Sequence, residues 1–94
     1  MSTNIAKAKQ EENTLISIYP NPVLKSQPLN IKFNESENEW IKIEIFDIVG
    51  KNITIPQGKL HPGLLNTDFL HSSIYYLNII LSDGSIVQKR ILVI

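Results

Sequence analysis

From residue 15 onward, apolar and polar side chains alternate along much of the chain with a period of two, the period of an extended strand that buries one face. The pattern is clearest at Trp40-Ile41-Lys42-Ile43-Glu44-Ile45-Phe46-Asp47, where Ile41, Ile43 and Ile45 share one side and Lys42 and Glu44 the other. Residues 29–33 repeat it, with Leu29, Ile31 and Phe33 set against Asn30 and Lys32. Over residues 74–82, Tyr75, Leu77, Ile79 and Leu81 form one face, while Tyr76 and Ile80 leave the opposite face partly apolar. Shorter apolar runs at 15–19, 52–55 and 64–70, and a long one at 86–94, bring the set to about seven strands. In the last run Val87, Ile91 and Val93 share a face with Lys89, whereas Ile86, Leu92 and Ile94 share one with Gln88 and Arg90. Neither parity is clean, which predicts a bulge or an edge position.

Between the strands stand residues that cannot continue a ladder. Pro20-Asn21-Pro22 removes two amide donors and fixes two φ angles, so the chain leaves its first strand there. Asp47-Ile48-Val49-Gly50-Lys51 predicts a turn in which Gly50 takes a positive φ, and Asp83-Gly84 predicts a two-residue hairpin. Residues 56–63, with Pro56, Gly58, Pro62 and Gly63, make the longest irregular connection and are expected to cross between sheets. Residues 1–13 carry no sustained period and read as a flexible linker, leaving 14–94 as the folded domain. Short strands with regularly spaced turns and no helical pattern predict an all-β fold, an immunoglobulin-like antiparallel β-sandwich, with a small barrel as the alternative. Tyr75, near the start of the penultimate strand, is either a tyrosine corner that ties the chain back through its hydroxyl or a plain core residue.

A chain of 94 residues with 43% hydrophobic and 19% charged side chains has the composition of a single globular domain. Nine basic and nine acidic residues cancel, so no long-range field draws in nucleic acid or an anionic membrane. Residues 1–13 have no apolar core of the kind a signal peptide needs, and no apolar run approaches the ~20 residues of a spanning helix, so membrane insertion is not expected. The absence of cysteine removes disulfides, thiolate nucleophiles and cysteine-based zinc sites.

Other chemistry is equally thin. His61 and His71 fall in turn contexts without a two-ligand spacing, and Ser72, Ser73, Ser82 and Ser85 lack an elbow or neighbouring base. Asp47, Asp68 and Asp83 lie in separate turns rather than in one oxygen-rich calcium loop. Asn34-Glu35-Ser36 and Asn52-Ile53-Thr54 match a glycosylation triplet too common to carry weight, and Trp40 lacks the coplanar aromatics of a glycan platform. No catalytic, metal or cofactor site can be assembled, so the expectation is a recognition module and not an enzyme.

Taken in order, Tyr19-Pro20-Asn21-Pro22, then Asp47 with Gly50 and Lys51, then Leu70 followed by Tyr75, then Gly84, and finally Lys89-Arg90-Ile91-Leu92-Val93, the motifs become recognisable. The chain from about residue 15 to residue 94 resembles the type A C-terminal sorting domain of the bacterial type IX secretion system. The resemblance implies a domain that directs an attached cargo from the periplasm across the outer membrane to the cell surface or medium. It implies two partners: the outer-membrane translocon, which reads most directly the element Lys89-Arg90-Ile91-Leu92-Val93, and a sortase-like protease that cuts the preceding linker, here residues 9–15. An apolar edge strand at the end of the chain also offers backbone groups that a partner strand could extend. One position departs from the family pattern: Ser73 stands where a glycine is usual, and a positive φ there would strain a serine by roughly 1 kcal/mol. The alternative is a free-standing immunoglobulin-like adhesion or spacer module that binds protein or glycan.

Overall fold

The computed structural model describes residues 16–33 and 40–94. The expected linker at 1–13, Leu15, the Asn34-Glu35-Ser36 triplet and the side chains of Trp40 and Ile41 lie outside the described residues. Eight strands are present among the described residues: β1 (Ile16–Tyr19), β2 (Pro28–Phe33), β3 (Trp40–Phe46), β4 (Asn52–Ile53), β5 (Leu60–His61), β6 (Leu64–Asn66), β7 (Ser73–Leu81) and β8 (Ile86–Val93). They form two four-stranded sheets, ordered β1-β2-β6-β5 and β4-β3-β7-β8, in which every named pair is antiparallel. This is the expected immunoglobulin-like β-sandwich.

The period of two places the core. On β7, Tyr75, Leu77, Ile79 and Leu81 are buried, and on β3 the inner pair is Ile43 and Ile45. On β8, Val87, Ile91 and Val93 face the same interior, and the other sheet contributes Ile16, Leu29, Ile31 and Leu65. Each fully buried branched side chain contributes about 1.5–3 kcal/mol of transfer free energy, so β7, buried at every second position, anchors the fold.

Five local expectations change. The 56–63 connection does pass from one sheet to the other, but it contains β5, a two-residue strand too short to show a period. The run at 64–70 is a strand only to Asn66, whose side-chain Oδ1 accepts the Asp68 N–H at 3.1 Å and, with the Leu70 N–H donating to Thr67 O, curls the chain inward. The run at 52–55 pairs only through Asn52 and Ile53. Asp83-Gly84 lies in a three-residue connection: Leu81 N donates to Ser85 O, Gly84 N donates to Leu81 O, and Gly84 takes the positive φ. Ser73 carries no strain, because no described residue other than glycine has a positive φ; it begins β7 opposite Val93 as ordinary extended backbone.

Strand β8 pairs with β7 in unbroken register from Ser73↔Val93 to Ile80↔Ile86. Its mixed parity therefore reflects an edge position and not a bulge.

Candidate functional site

The sequence motifs fall into two groups once register is known. Phe46 pairs with Tyr76 and Tyr76 with Arg90, so the end of β3, the start of β7 and the end of β8 lie side by side. The turn after β3, Tyr75 and the element Lys89-Arg90-Ile91-Leu92-Val93 therefore gather at one end of the sheet. Gly84, in the β7–β8 hairpin, lies at the opposite end and away from this group.

The turn after β3 is built from its own residues. Asp47 N donates to Lys51 O and Gly50 N to Asp47 O, both at 3.0 Å, with Gly50 at φ 86°. The Asp47 carboxylate accepts the Val49 and Lys51 N–H groups at 3.0 and 2.9 Å. Asp47 and Gly50 thus shape the hairpin, and Ile48 and Val49 are left exposed at its tip. Tyr75 is a tyrosine corner: its ring is buried and its hydroxyl donates to His71 O at 2.9 Å.

Tyr19-Pro20-Asn21-Pro22 meets the last strand. After β1 the chain leaves its sheet, and residues 21–25 run along the outer edge of β8 before returning as β2. Val23 forms a parallel bridge with Val93, donating from its N–H to Leu92 O at 2.8 Å and accepting the Ile94 N–H at 2.9 Å. Lys25 N donates to Ile94 O at 3.2 Å. One step earlier the ladder is continued by a side chain: Asn21 Nδ2 donates to Arg90 O at 2.9 Å, and Asn21 Oδ1 accepts the Leu92 N–H at 3.0 Å. The carboxamide occupies the place that the residue-21 peptide groups would take in a regular parallel pair. Val23 is fully buried, so this strap is part of the core as well as of the edge.

The strap corrects the expectation of a free terminal edge. Because Leu81 N bonds Ser85 O, odd-numbered residues of β8 turn their backbone groups toward β7 and even-numbered ones turn theirs outward. Arg90 O and the outward N–H and C=O groups of Leu92 and Ile94 are taken by residues 21–25. The earlier part of the strand, from Ile86 to the Arg90 N–H, presents its edge without such a neighbour among the described residues.

Burial divides the motif residues by role. Tyr75, Ile91 and Val93 are core. Arg90 and Leu92 are exposed on the outer face, with Asn21, Pro22, Gly50 and Lys51 also exposed. A groove of about 300 Å3 lined by Asn21, Pro22, Ile74, Arg90, Ile91 and Leu92 lies where the strap meets the sheet. A second, of about 380 Å3, is lined by Phe46, Asp47, Ile48, Gly50, Tyr76, Asn78 and Gln88. The row Phe46, Tyr76 and Arg90 connects the two, giving a partly apolar surface that carries one guanidinium. Lys89, on the inward-facing row of β8, is half-buried, and burial lowers its pKa below the ordinary 10.5.

The histidines are exposed and line neither groove; His61 is in β5 rather than in a loop. Asp47, Asp68 and Asp83 each serve a separate turn, and among the described residues no three His, Asp or Glu side chains gather to hold a metal. What sequence reasoning missed was the strap. Its only signal was the apolar pair Val23-Leu24 between Pro22 and Pro28, too short to show a period.

Residues 17–93 match the family described as secretion system C-terminal sorting domain. No curated protein matches the chain.

Proposed function

This chain belongs to the family of type IX secretion system C-terminal sorting domains, and on that premise we propose that it acts as the address of an attached cargo, carrying it from the periplasm through the outer-membrane translocon to the cell surface or medium. The translocon engages the end of the sandwich where the strap meets Arg90 and Leu92, and a sortase-like protease cuts ahead of β1, within residues 9–15. The observation that supports this reading is the convergence of the first and last motifs: Asn21 and Arg90, 69 positions apart, share a hydrogen bond beside an exposed groove. Evenly balanced charge and the lack of an assembled catalytic set fit a domain that is recognised rather than one that transforms a substrate.

The test is a reporter carrying a signal peptide, fused to the 94-residue chain in a host with a working type IX system. The reporter is expected at the surface or in the medium, and removal of residues 89–94 is expected to hold it in the periplasm. Retention of the intact fusion would overturn the proposal.

A further inference from the structure

The side chain of Asn21, a motif residue near the start of the domain, joins it to the last strand. Val23 and Lys25 meet β8 through their backbone, whereas residue 21, set between Pro20 and Pro22, meets it through its side chain. The carboxamide supplies both partners that the residue-21 peptide groups would supply in a regular parallel pair, a donor for Arg90 O and an acceptor for the Leu92 N–H. Without it, those two groups lose their partner on an exposed edge, and the ladder begins only at Val23. Asparagine is specific for this task. Aspartate accepts from Leu92 but sets a negative charge against the Arg90 carbonyl, and glutamine adds a methylene that shifts both atoms out of register.

We infer that Asn21 is the latch of the sorting signal: a positioning residue that holds Arg90 and Leu92 in one orientation beside the strap, so that the element read is the latched pair of segments and not a loose tail. This rests on the sorting function proposed above. Asn21 and Pro22 line one side of the groove at the junction, and Ile74, Arg90, Ile91 and Leu92 line the rest.

Three forms of the reporter fusion test it. In the first, Asn21→Ala, amide exchange at Leu92 is expected to quicken by up to about tenfold, the loss of one net hydrogen bond, and surface delivery to fall toward that of the chain lacking residues 89–94. In the second, Val23→Cys with Val93→Cys, the bridged pair closes the strap covalently; neighbouring strands lie ~4.8 Å apart, within the ~4.4–6.8 Å that a disulfide spans. The third combines the cysteines with Asn21→Ala and is expected to regain delivery, because the closed strap again holds Arg90 and Leu92 in place. Ile16→Val, a mild core change in the other sheet, serves as the stability control and is expected to be delivered normally.

Delivery of Asn21→Ala at the wild-type level, or blocked delivery of the disulfide-closed chain with its wild-type Asn21, would overturn the latch. If the wild-type fusion itself stays in the periplasm, the sorting reading fails instead. Leu92 exchange in the purified chain then still decides whether Asn21 holds the strand.

Discussion

At the scale of single residues, the polar side chains that matter are those that replace a missing backbone partner. Asp47 closes its turn with two N–H groups, Asn66 redirects the chain after β6, and Tyr75 reaches back to His71 O. Thr67 is the contrast: fully buried, its hydroxyl has no hydrogen-bond partner among the described residues, a cost of about 1–3 kcal/mol that its neighbours' packing must offset. The Tyr75 hydroxyl is the cleanest to test, because phenylalanine keeps the ring in the core. Tyr75→Phe is expected to destabilise the domain by about 0.5–1.5 kcal/mol, read as a lower urea midpoint with an unchanged slope. Serine at position 73 needs no such compensation, and the expected strain was absent because the residue is extended. Its type was visible in the sequence; its φ was not.

At the scale of elements, β3 and β7 were legible because one face of each is buried, so solvent and core impose a strict alternation. β5 was illegible because two residues have no period, and the strap was illegible because a parallel bridge with a side-chain rung leaves only Val23 as an apolar mark. The mixed parity of β8 left a bulge or an edge open, the unbroken register with β7 decides for the edge, and Lys89 fits that position. A charge on the inward row of an edge strand opposes pairing with a further chain, and here it is held in partly buried surroundings. Its lowered pKa has a sign that can be checked. Well below 10.5 Lys89 is charged in both the folded and unfolded chain, and burial costs the folded state in full; as pH rises through the folded value toward 10.5 that cost is removed. Stability from this residue therefore increases with pH in the window just below 10.5. Urea denaturation across that window should show a steeper rise for the wild type than for Lys89→Met, and equal slopes would remove the assignment.

At the scale of the whole molecule, the two sheets are joined along one side by a segment that belongs to both. The chain leaves β1, runs beside β8 and returns to β2, so that Val23 packs in the shared core while its backbone extends the opposite sheet. This arrangement separates the terminal motif into residues that hold the fold and residues that face outward. Ile91→Ala removes a fully buried side chain and is expected to cost about 2–5 kcal/mol. Leu92→Ser, on the exposed face at 36% accessibility, is expected to change stability by no more than about 0.5 kcal/mol while reducing delivery of the fused reporter. Thermal melts and surface assays on the same two proteins distinguish them, and loss of stability without loss of delivery at Leu92 would contradict the division.

The strap also sets an order of events during synthesis. Residues 21–25 leave the ribosome well before the groups they bind, which lie 69 and 71 positions downstream at Arg90 and Leu92. A nascent chain interrupted anywhere before those residues has Asn21 and Val23 waiting with nothing to close upon. On the sorting function proposed above, a product broken off before Arg90 is expected to lack the joined surface altogether, and a reporter fused to such a truncation is expected to stay in the periplasm.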